Sequence, residues 1–321
     1  MGMKGISLGD KLLNTLLRVI FFPLAFMQVV LEAIDKRKRG PAGRIVPIGK
    51  RSRALHAIVA GEGSPVIVLE SGMGGGALDW SLVQPELAKL GTVVSYDRAG
   101  FGWSSDYSLT GRGRTCRHYA EDLRELLKEL GLQPPFLLVG HSYGGMITRS
   151  FASLHANEVS GLVLVDAVHE SRYVSEGQGA DRRKQRGRYL RELRLGYLLS
   201  PIAIPRLLNK HIGSKRLPET AQRAVRALGF RAGAYRAAYA ECLAAEASAR
   251  ELIEARPLRQ ELPVMVLSAG RQDEEWKASQ RRLIGLTSQT KQVIVRDSWH
   301  SIQIHKPDAV IDAVKALLGV D

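Results

Sequence analysis

Cysteine is scarce in this chain: Cys116 and Cys242 stand far apart among 321 residues. With no C-x-x-C and no Cys/His ligand spacing, nothing calls for a disulfide framework or a structural metal site, and two buried free thiols are expected. Acidic residues are also in short supply, 32 against 46 Lys and Arg, for a formal charge of +14. That surplus would suit nucleic acid, anionic lipid or an anionic substrate. No nucleic-acid motif and no interleaving of aromatics with basic residues accompanies it, so nucleic acid ranks last among partners. Internal repeats and low-complexity tracts are missing. Hydrophobic residues make up 45% and charged residues 24%. That is the profile of a globular protein, and the length suits one large domain, or one domain with an insertion and an appended tail.

The charge is unevenly placed. Residues 1–53 hold 11 Lys/Arg against 3 Asp/Glu, and residues 170–260 hold 19 against 9. Residues 54–169 are net acidic, with 8 against 12. The basicity therefore belongs to a tail and a middle insert. Within the tail, residues 12–34 form the most apolar stretch, long enough to span a bilayer as one helix. They carry Asn14, Arg18, Gln28 and Glu32 within a narrow stripe at about 100° per residue, and Pro23 should kink them. A removable signal peptide fits poorly, because no small-x-small cleavage site follows. A transmembrane anchor, an interfacial helix and a soluble packing helix stay open. Lys36–Arg39 follows at once and favours the cytoplasmic side. Membrane association through residues 12–34, with the remaining chain facing the cytoplasm, is the expectation.

From about residue 44 short strands and helices alternate. A hairpin of two strands is expected first, then the apolar runs Pro65–Glu70, Thr92–Asp97, Phe136–Gly140 and Gly161–Asp166. Helices are predicted near Asp79–Leu90, Cys116–Leu130 and Tyr143–Leu154. The alternation stops over residues 170–260, which read as helical, and resumes at Pro263–Gly270. A helix near Glu275–Leu286, the strand Gln292–Val295 and a helix near Pro307–Leu318 close the chain. Repeated β-α units imply a mostly parallel central sheet with helices on both faces.

Chemistry concentrates at the strand ends. Gly140-His141-Ser142-Tyr143-Gly144 matches G-x-S-x-G between an apolar strand and a helix, where a sharp turn lifts the serine hydroxyl out of the sheet. A serine hydroxyl is a poor nucleophile until a base takes its proton, and histidine suits that task at neutral pH. His300 alone occupies the loop straight after the last strand. His118, His141, His211 and His305 compete less well. The acid that orients the imidazole is expected at Asp273, following the order Ser, Asp, His. Glu274, Glu275 and Asp166 are its rivals, and for Asp166 the plainer role is capping the next turn. The glycine-rich run Glu70–Gly76 lets backbone approach a substrate closely. An N–H from Met73 together with that of Tyr143 would form an oxyanion hole.

These pieces together resemble the α/β-hydrolase family, in its Ser-nucleophile esterase and lipase-like branch. The resemblance covers roughly residues 44–170 and 260–321. It rests on ESGMGGG, YDRAGFGWS (Tyr96–Ser104), VGHSYGG and the SWHS around His300. It implies a hydrolase core over 41–169 and 261–321, a helical cap over 170–260, and structural roles for Asp97 and Arg98 in the loop after the strand. Many members carry His-Gly where Ser71-Gly72 stands here. Related epoxide hydrolases and haloalkane dehalogenases use an aspartate nucleophile, and Ser142 argues instead for acyl chemistry. No metal and no organic cofactor is expected. The expected activity is hydrolysis of a small carboxylic ester, lipid-derived or not, through an acyl-enzyme. Acyltransferase, thioesterase, peptidase and C–C hydrolase chemistries stay open, as does a non-catalytic, membrane-tethered ligand-binding protein.

Overall fold

The computed structural model describes residues 5–49, 53–106, 113–174 and 180–320. Eight strands form one sheet: β1 (Arg44–Ile48), β2 (Arg53–Ala60), β3 (Val66–Glu70), β4 (Thr92–Asp97), β5 (Phe136–His141), β6 (Val159–Val165), β7 (Val264–Ala269) and β8 (Thr290–Val295). Their order is β1-β2-β4-β3-β5-β6-β7-β8. The β1–β2 and β2–β4 pairs are antiparallel, and β3 through β8 pair in parallel. Strands β3, β4, β5 and β7 are buried along their whole length. Continuous apolar runs are what a parallel strand covered on both faces requires.

Helices supply the cover. On one face α4 (Cys116–Glu129) and α5 (Gly144–Leu154) set Leu123, Leu126, Leu127 and Phe151 against Val68, Leu138 and Leu164 of the sheet. On the other, α3 (Gln84–Leu87) and the C-terminal α12 (Pro307–Leu318) bring Leu87, Val310 and Val314 to Ile67, Val139 and Val163. Among the described residues four α-helices lie between β6 and β7: α6 (Ala180–Leu199), α7 (Ile204–Leu207), α8 (Glu219–Gly229) and α9 (Ala232–Ile253). We call this segment the cap; of the 170–260 expected for it, residues 175–179 fall outside the described ones. Helix α9 packs on both α4 and α5 and so borders the carboxyl ends of the strands. Helices α10 (Glu274–Arg282) and α11 (Ile302–His305) follow β7 and β8.

Two predicted elements are divided. The helix expected at Asp79–Leu90 is a 3-10 turn at Ala77–Trp80 followed by α3. Pro85 has no N–H for the carbonyl four residues back, so one continuous helix cannot run through it. The buried Gln84 side chain instead donates to the carbonyls of Ile58 and Val93, at 2.9 and 3.1 Å. The apolar stretch expected as one helix over 12–34 is α1 (Leu8–Ile20) and α2 (Phe22–Lys38), bent by 97°. Pro23 lies in the first turn of α2, where its missing N–H is tolerated, and Phe21 leaves helical geometry between them. No single helix among the described residues is long and apolar enough to cross a membrane.

Candidate active site

Strand β5 ends at His141, and Ser142 takes a left-handed backbone with φ 51°. A non-glycine residue held there is strained, and such strain gathers at functional sites. Its neighbours must be small. A Cβ on Gly140 would come within 2.6 Å of the Thr148 hydroxyl, and one on Gly144 within 2.5 Å of the Glu70 carbonyl. Helix α5 begins directly after the turn, so its N-terminal N–H groups point toward the serine.

His300, in the loop between β8 and α11, reaches Ser142. Its Nε2 lies 2.9 Å from the Ser142 Oγ, and its Nδ1 lies 2.7 Å from Asp166 Oδ2. Asp166 follows β6 directly, is fully buried and has φ 42°. Three further donors hold its carboxylate: the Ala269 N–H at 3.0 Å, Trp276 Nε1 at 2.9 Å and Gln272 Nε2 at 2.9 Å. A buried carboxylate so fully bonded is a fixed acceptor for the imidazole N–H. A hydroxyl, an imidazole and a carboxylate in this line can draw a proton from the hydroxyl and stabilise the resulting cation.

Asp273, expected beside the imidazole, does not meet His300 in the structure; its rival Asp166 does. Asp273 caps α10: its Oδ1 accepts the Trp276 N–H at 2.7 Å. The chain enters α10 within three residues of Gly270, and a carboxylate at a helix start bonds the free N–H groups there. Glu274 pairs with Lys277 and Glu275 with Arg182, away from the histidine. Asp273 still serves the site indirectly, since the helix it caps carries Trp276. That indole bonds Asp166 and packs edge-on against the His300 ring at a 4.8 Å centroid distance. Sequence order alone could not separate the strand end at Asp166 from the one at Asp273.

The glycine-rich loop lies against the nucleophile: a Cβ on Gly72 would approach the Ser142 Cβ to 3.2 Å. Among the described residues no hydrogen bond engages the N–H of Met73 or of Tyr143, the two expected oxyanion donors. The loop is clamped from behind by Arg98, which is buried. Its Nη1 and Nη2 donate to the carbonyls of Ser71 and Gly72, both at 2.8 Å. It pairs with Glu70 at 2.6 Å and with Glu241 of α9 at 2.7 Å. Burial alone would favour the neutral guanidine; Glu241 and Glu70 outweigh it and hold Arg98 charged, with its pKa well above the usual value. Glu241 also accepts the Gly74 N–H at 3.1 Å. So the carbonyls on one side of Met73 and the N–H on the other are both fixed. The tyrosine beside the nucleophile is anchored too, its hydroxyl 2.9 Å from Ser248 Oγ of α9.

Arg98, Glu241, Ser248 and Trp276 were not singled out by sequence for the loop or the histidine. Only Arg98 lay in a motif; the cap residues have no signal short of the fold. His141 lies against His300, with a ring distance of 4.8 Å. Its burial, reinforced by His300, holds its pKa well below 6.5, so it is neutral. Asp97, at the end of β4, pairs with the buried His56 of β2 at 2.7 Å and accepts the Ala77 N–H at 2.9 Å, tying the segment after β3 to β4 and β2. Both cysteines are free and buried. Among the described residues no group of three or more His, Cys, Asp or Glu side chains could hold a metal ion. A cavity of about 240 Å³ opens beside Met73, lined by Arg172, Tyr173, Arg186, Tyr189 and Cys242 among others.

The model of the alpha/beta hydrolase family matches residues 67–313, a range that holds the elbow, Asp166 and His300. The chain belongs to this family. The eight-stranded, mostly parallel sheet with helices on both faces is the fold of that family. The YqjL protein of Bacillus subtilis is 25% identical over 256 residues, which cover 78% of this chain and 82% of that one. Of other curated relatives the chain spans much less, 19% of one and 40% of another. An esterase from Thermogutta terrifontis superposes with a TM-score of 0.61 at 21% identity, over 86% of this chain and 97% of the esterase. The epoxide hydrolase CorEH superposes at 0.66 and 19% identity, over 86% and 97%. At these identities the likeness concerns the fold alone.

Proposed function

We propose that this α/β-hydrolase is a serine hydrolase that cleaves a carboxylic ester through an acyl-enzyme on Ser142. The observation that carries the reading is the unbroken line Ser142–His300–Asp166 at 2.9 and 2.7 Å. In this mechanism Ser142 Oγ attacks the ester carbonyl carbon while its proton passes to His300 Nε2. The carbonyl electron pair moves onto oxygen, where the N–H groups of Met73 and Tyr143 hold it. Collapse breaks the bond to the alkoxy oxygen, which leaves with the proton from His300. Water then attacks the acyl-enzyme by the same route, releasing the acid and restoring Ser142. Asp166 keeps the Nδ1 proton in place and offsets the imidazolium charge. A serine at the elbow favours acyl chemistry over opening of an epoxide by a carboxylate. The ester we propose is lipid-derived, and the location a membrane surface with the catalytic domain on its cytoplasmic side. The bent apolar helix pair and Lys36–Arg39 support that placement.

Active-site labelling with a fluorophosphonate, with the adduct mapped by mass spectrometry, tests the chemistry. Label should fall on Ser142, and chromogenic acyl esters should be turned over. Ser142→Ala should lose both, with residual hydrolysis below roughly a thousandth of wild type. Turnover surviving in that variant would point to another nucleophile and end this reading.

A further inference from the structure

Helices α1 and α2 carry their polarity the reverse way from a helix packed on a soluble core. Five of their polar side chains, Asp10, Asn14, Gln28, Glu32 and Asp35, bond to the protein. Asn14 Nδ2 donates to the Tyr197 carbonyl and Gln28 Nε2 to the Phe230 carbonyl, both at 2.8 Å. Asp10 accepts from Arg194 at 2.8 Å and from the Tyr239 hydroxyl at 3.0 Å. Glu32 accepts the Ala232 N–H at 2.9 Å, and Asp35 pairs with Arg206 at 2.8 Å. Every one of these partners lies in the cap. The apolar side chains face outward: Gln28 is 1% exposed, while Leu8 and Phe22 are 72% and 65% exposed. Twelve of the 22 exposed large hydrophobics among the described residues sit on this pair. Scattered single apolar residues need no explanation, but a continuous face does.

We propose that this face docks on an anionic lipid bilayer, with both helices lying in the plane of the interface and their polar edge latching them to the cap. Leu8, Leu12, Leu16 and Val19 recur at helical spacing on the outer side of α1, as Phe22, Phe26 and Val29 do on α2. Lys36, Arg37 and Lys38 stand exposed where α2 ends, matched in charge to anionic headgroups. Length and bend exclude a straight span. Helix α1 has 13 residues and α2 has 17, set 97° apart. At 1.5 Å per residue neither reaches the ~30 Å of a hydrocarbon core. Straightening the pair through the bilayer would also strip Asp10, Asn14, Gln28, Glu32 and Asp35 of their cap partners inside lipid, where unpaired polar groups are costly. The latch makes the cap, which borders Ser142, the membrane-facing part of the enzyme. The inference rests on the membrane location proposed above and not on the identity of the reaction.

Flotation of the full chain with vesicles of phosphatidylcholine containing phosphatidylglycerol tests it. The protein should float with the vesicles and stay bound in high salt, because screening weakens the basic contacts and not apolar burial. The double variant Leu12→Glu/Phe26→Glu touches neither the latch nor the Ser142 site. Its partitioning should fall at least about tenfold, with unchanged turnover of a water-soluble short-chain ester. Tryptophans introduced as Val19→Trp and Phe26→Trp, one at a time, should both be quenched by lipids brominated near the headgroups. Quenching of either only by bromines at the bilayer centre would mean a spanning segment and overturn in-plane docking. Release by salt would reduce the contact to charge. A stable dimer that ignores vesicles and is split by the double variant would assign the face to a second copy. Failure to float with any vesicle would remove this inference and the membrane location together, while fluorophosphonate labelling of Ser142 would still stand.

Discussion

Two aspartates near His300 have different jobs, and single substitutions should separate them. Asp166 bonds the imidazole Nδ1, so Asp166→Asn removes the carboxylate that fixes the tautomer and offsets the imidazolium charge. Its kcat should drop by about 10⁴ while the fold persists, by analogy with triad acids generally. Asp273→Asn keeps a side-chain oxygen for the Trp276 N–H and should stay close to wild type. Asp273→Ala should lose about 1 kcal/mol of stability through the helix cap, with only a modest kinetic loss. Ester kinetics on the three variants, paired with melting temperatures, decide the assignment. A crippled Asp273→Asn with an active Asp166→Asn would reverse it.

At the level of elements, α9 braces the proposed active site and is not only a cover. Through Glu241 it holds both Arg98 and the Gly74 N–H, and through Ser248 it meets the Tyr143 hydroxyl. Each contact bears on one of the two proposed oxyanion donors. Glu241→Gln keeps the shape but removes the charge that Arg98 faces and turns one of the two oxygens that accept from Arg98 and Gly74 into a donor. The loop carrying Met73 should loosen, and kcat should fall roughly ten- to a hundredfold. That is less than loss of a whole oxyanion donor, because the N–H is misplaced and not deleted. KM should hardly move, since Glu241 is fully buried and acts on the loop through Arg98 and Gly74. A rise in KM at constant kcat would show instead that the helix shapes substrate binding, and Glu241 would lose its positioning role.

For the whole molecule, four buried or half-buried histidines contribute to how stability depends on acid. Burial lowers the pKa of His118, His141, His169 and His211 below the ordinary 6.5. Between the folded and unfolded pKa values the unfolded chain holds more protons, so stability there rises with pH. The contribution is complete above 6.5 and is lost as the pH falls toward each folded value. One group can add a slope of up to about 1.4 kcal/mol per pH unit. The buried Asp79, raised to about 7 by burial, works against them, because it takes up a proton in the folded chain over the same range. Denaturant unfolding from neutral to mildly acidic pH should therefore show the histidine share by difference: His141→Gln should lose less stability per unit of acidification than the unsubstituted chain. An unchanged slope in that variant would contradict this.

Strand-sized apolar runs, the glycines around Ser142 and the placement of His300 after the last strand were legible because each is a local constraint. A parallel strand needs a buried run, an elbow needs residues without a Cβ, and a reactive loop follows the strand that presents it. The apolar stripe of residues 12–34 was legible too, as a pattern. Which acid meets His300 was not, because Asp166 and Asp273 both follow strands. β6 and β7 are neighbours in the sheet, so both strand ends lie near the histidine. Only the packing of α10 and Trp276 assigns one to the imidazole and the other to the helix cap. The same holds for Glu241 and Ser248, which lie more than a hundred residues from the loop and turn they fix. Which way α1 and α2 face was likewise decided by tertiary structure. Periodicity places the polar stripe and the apolar face on opposite sides, but only the cap, with carbonyls and charges awaiting partners, turns the polar side inward and leaves the apolar side out.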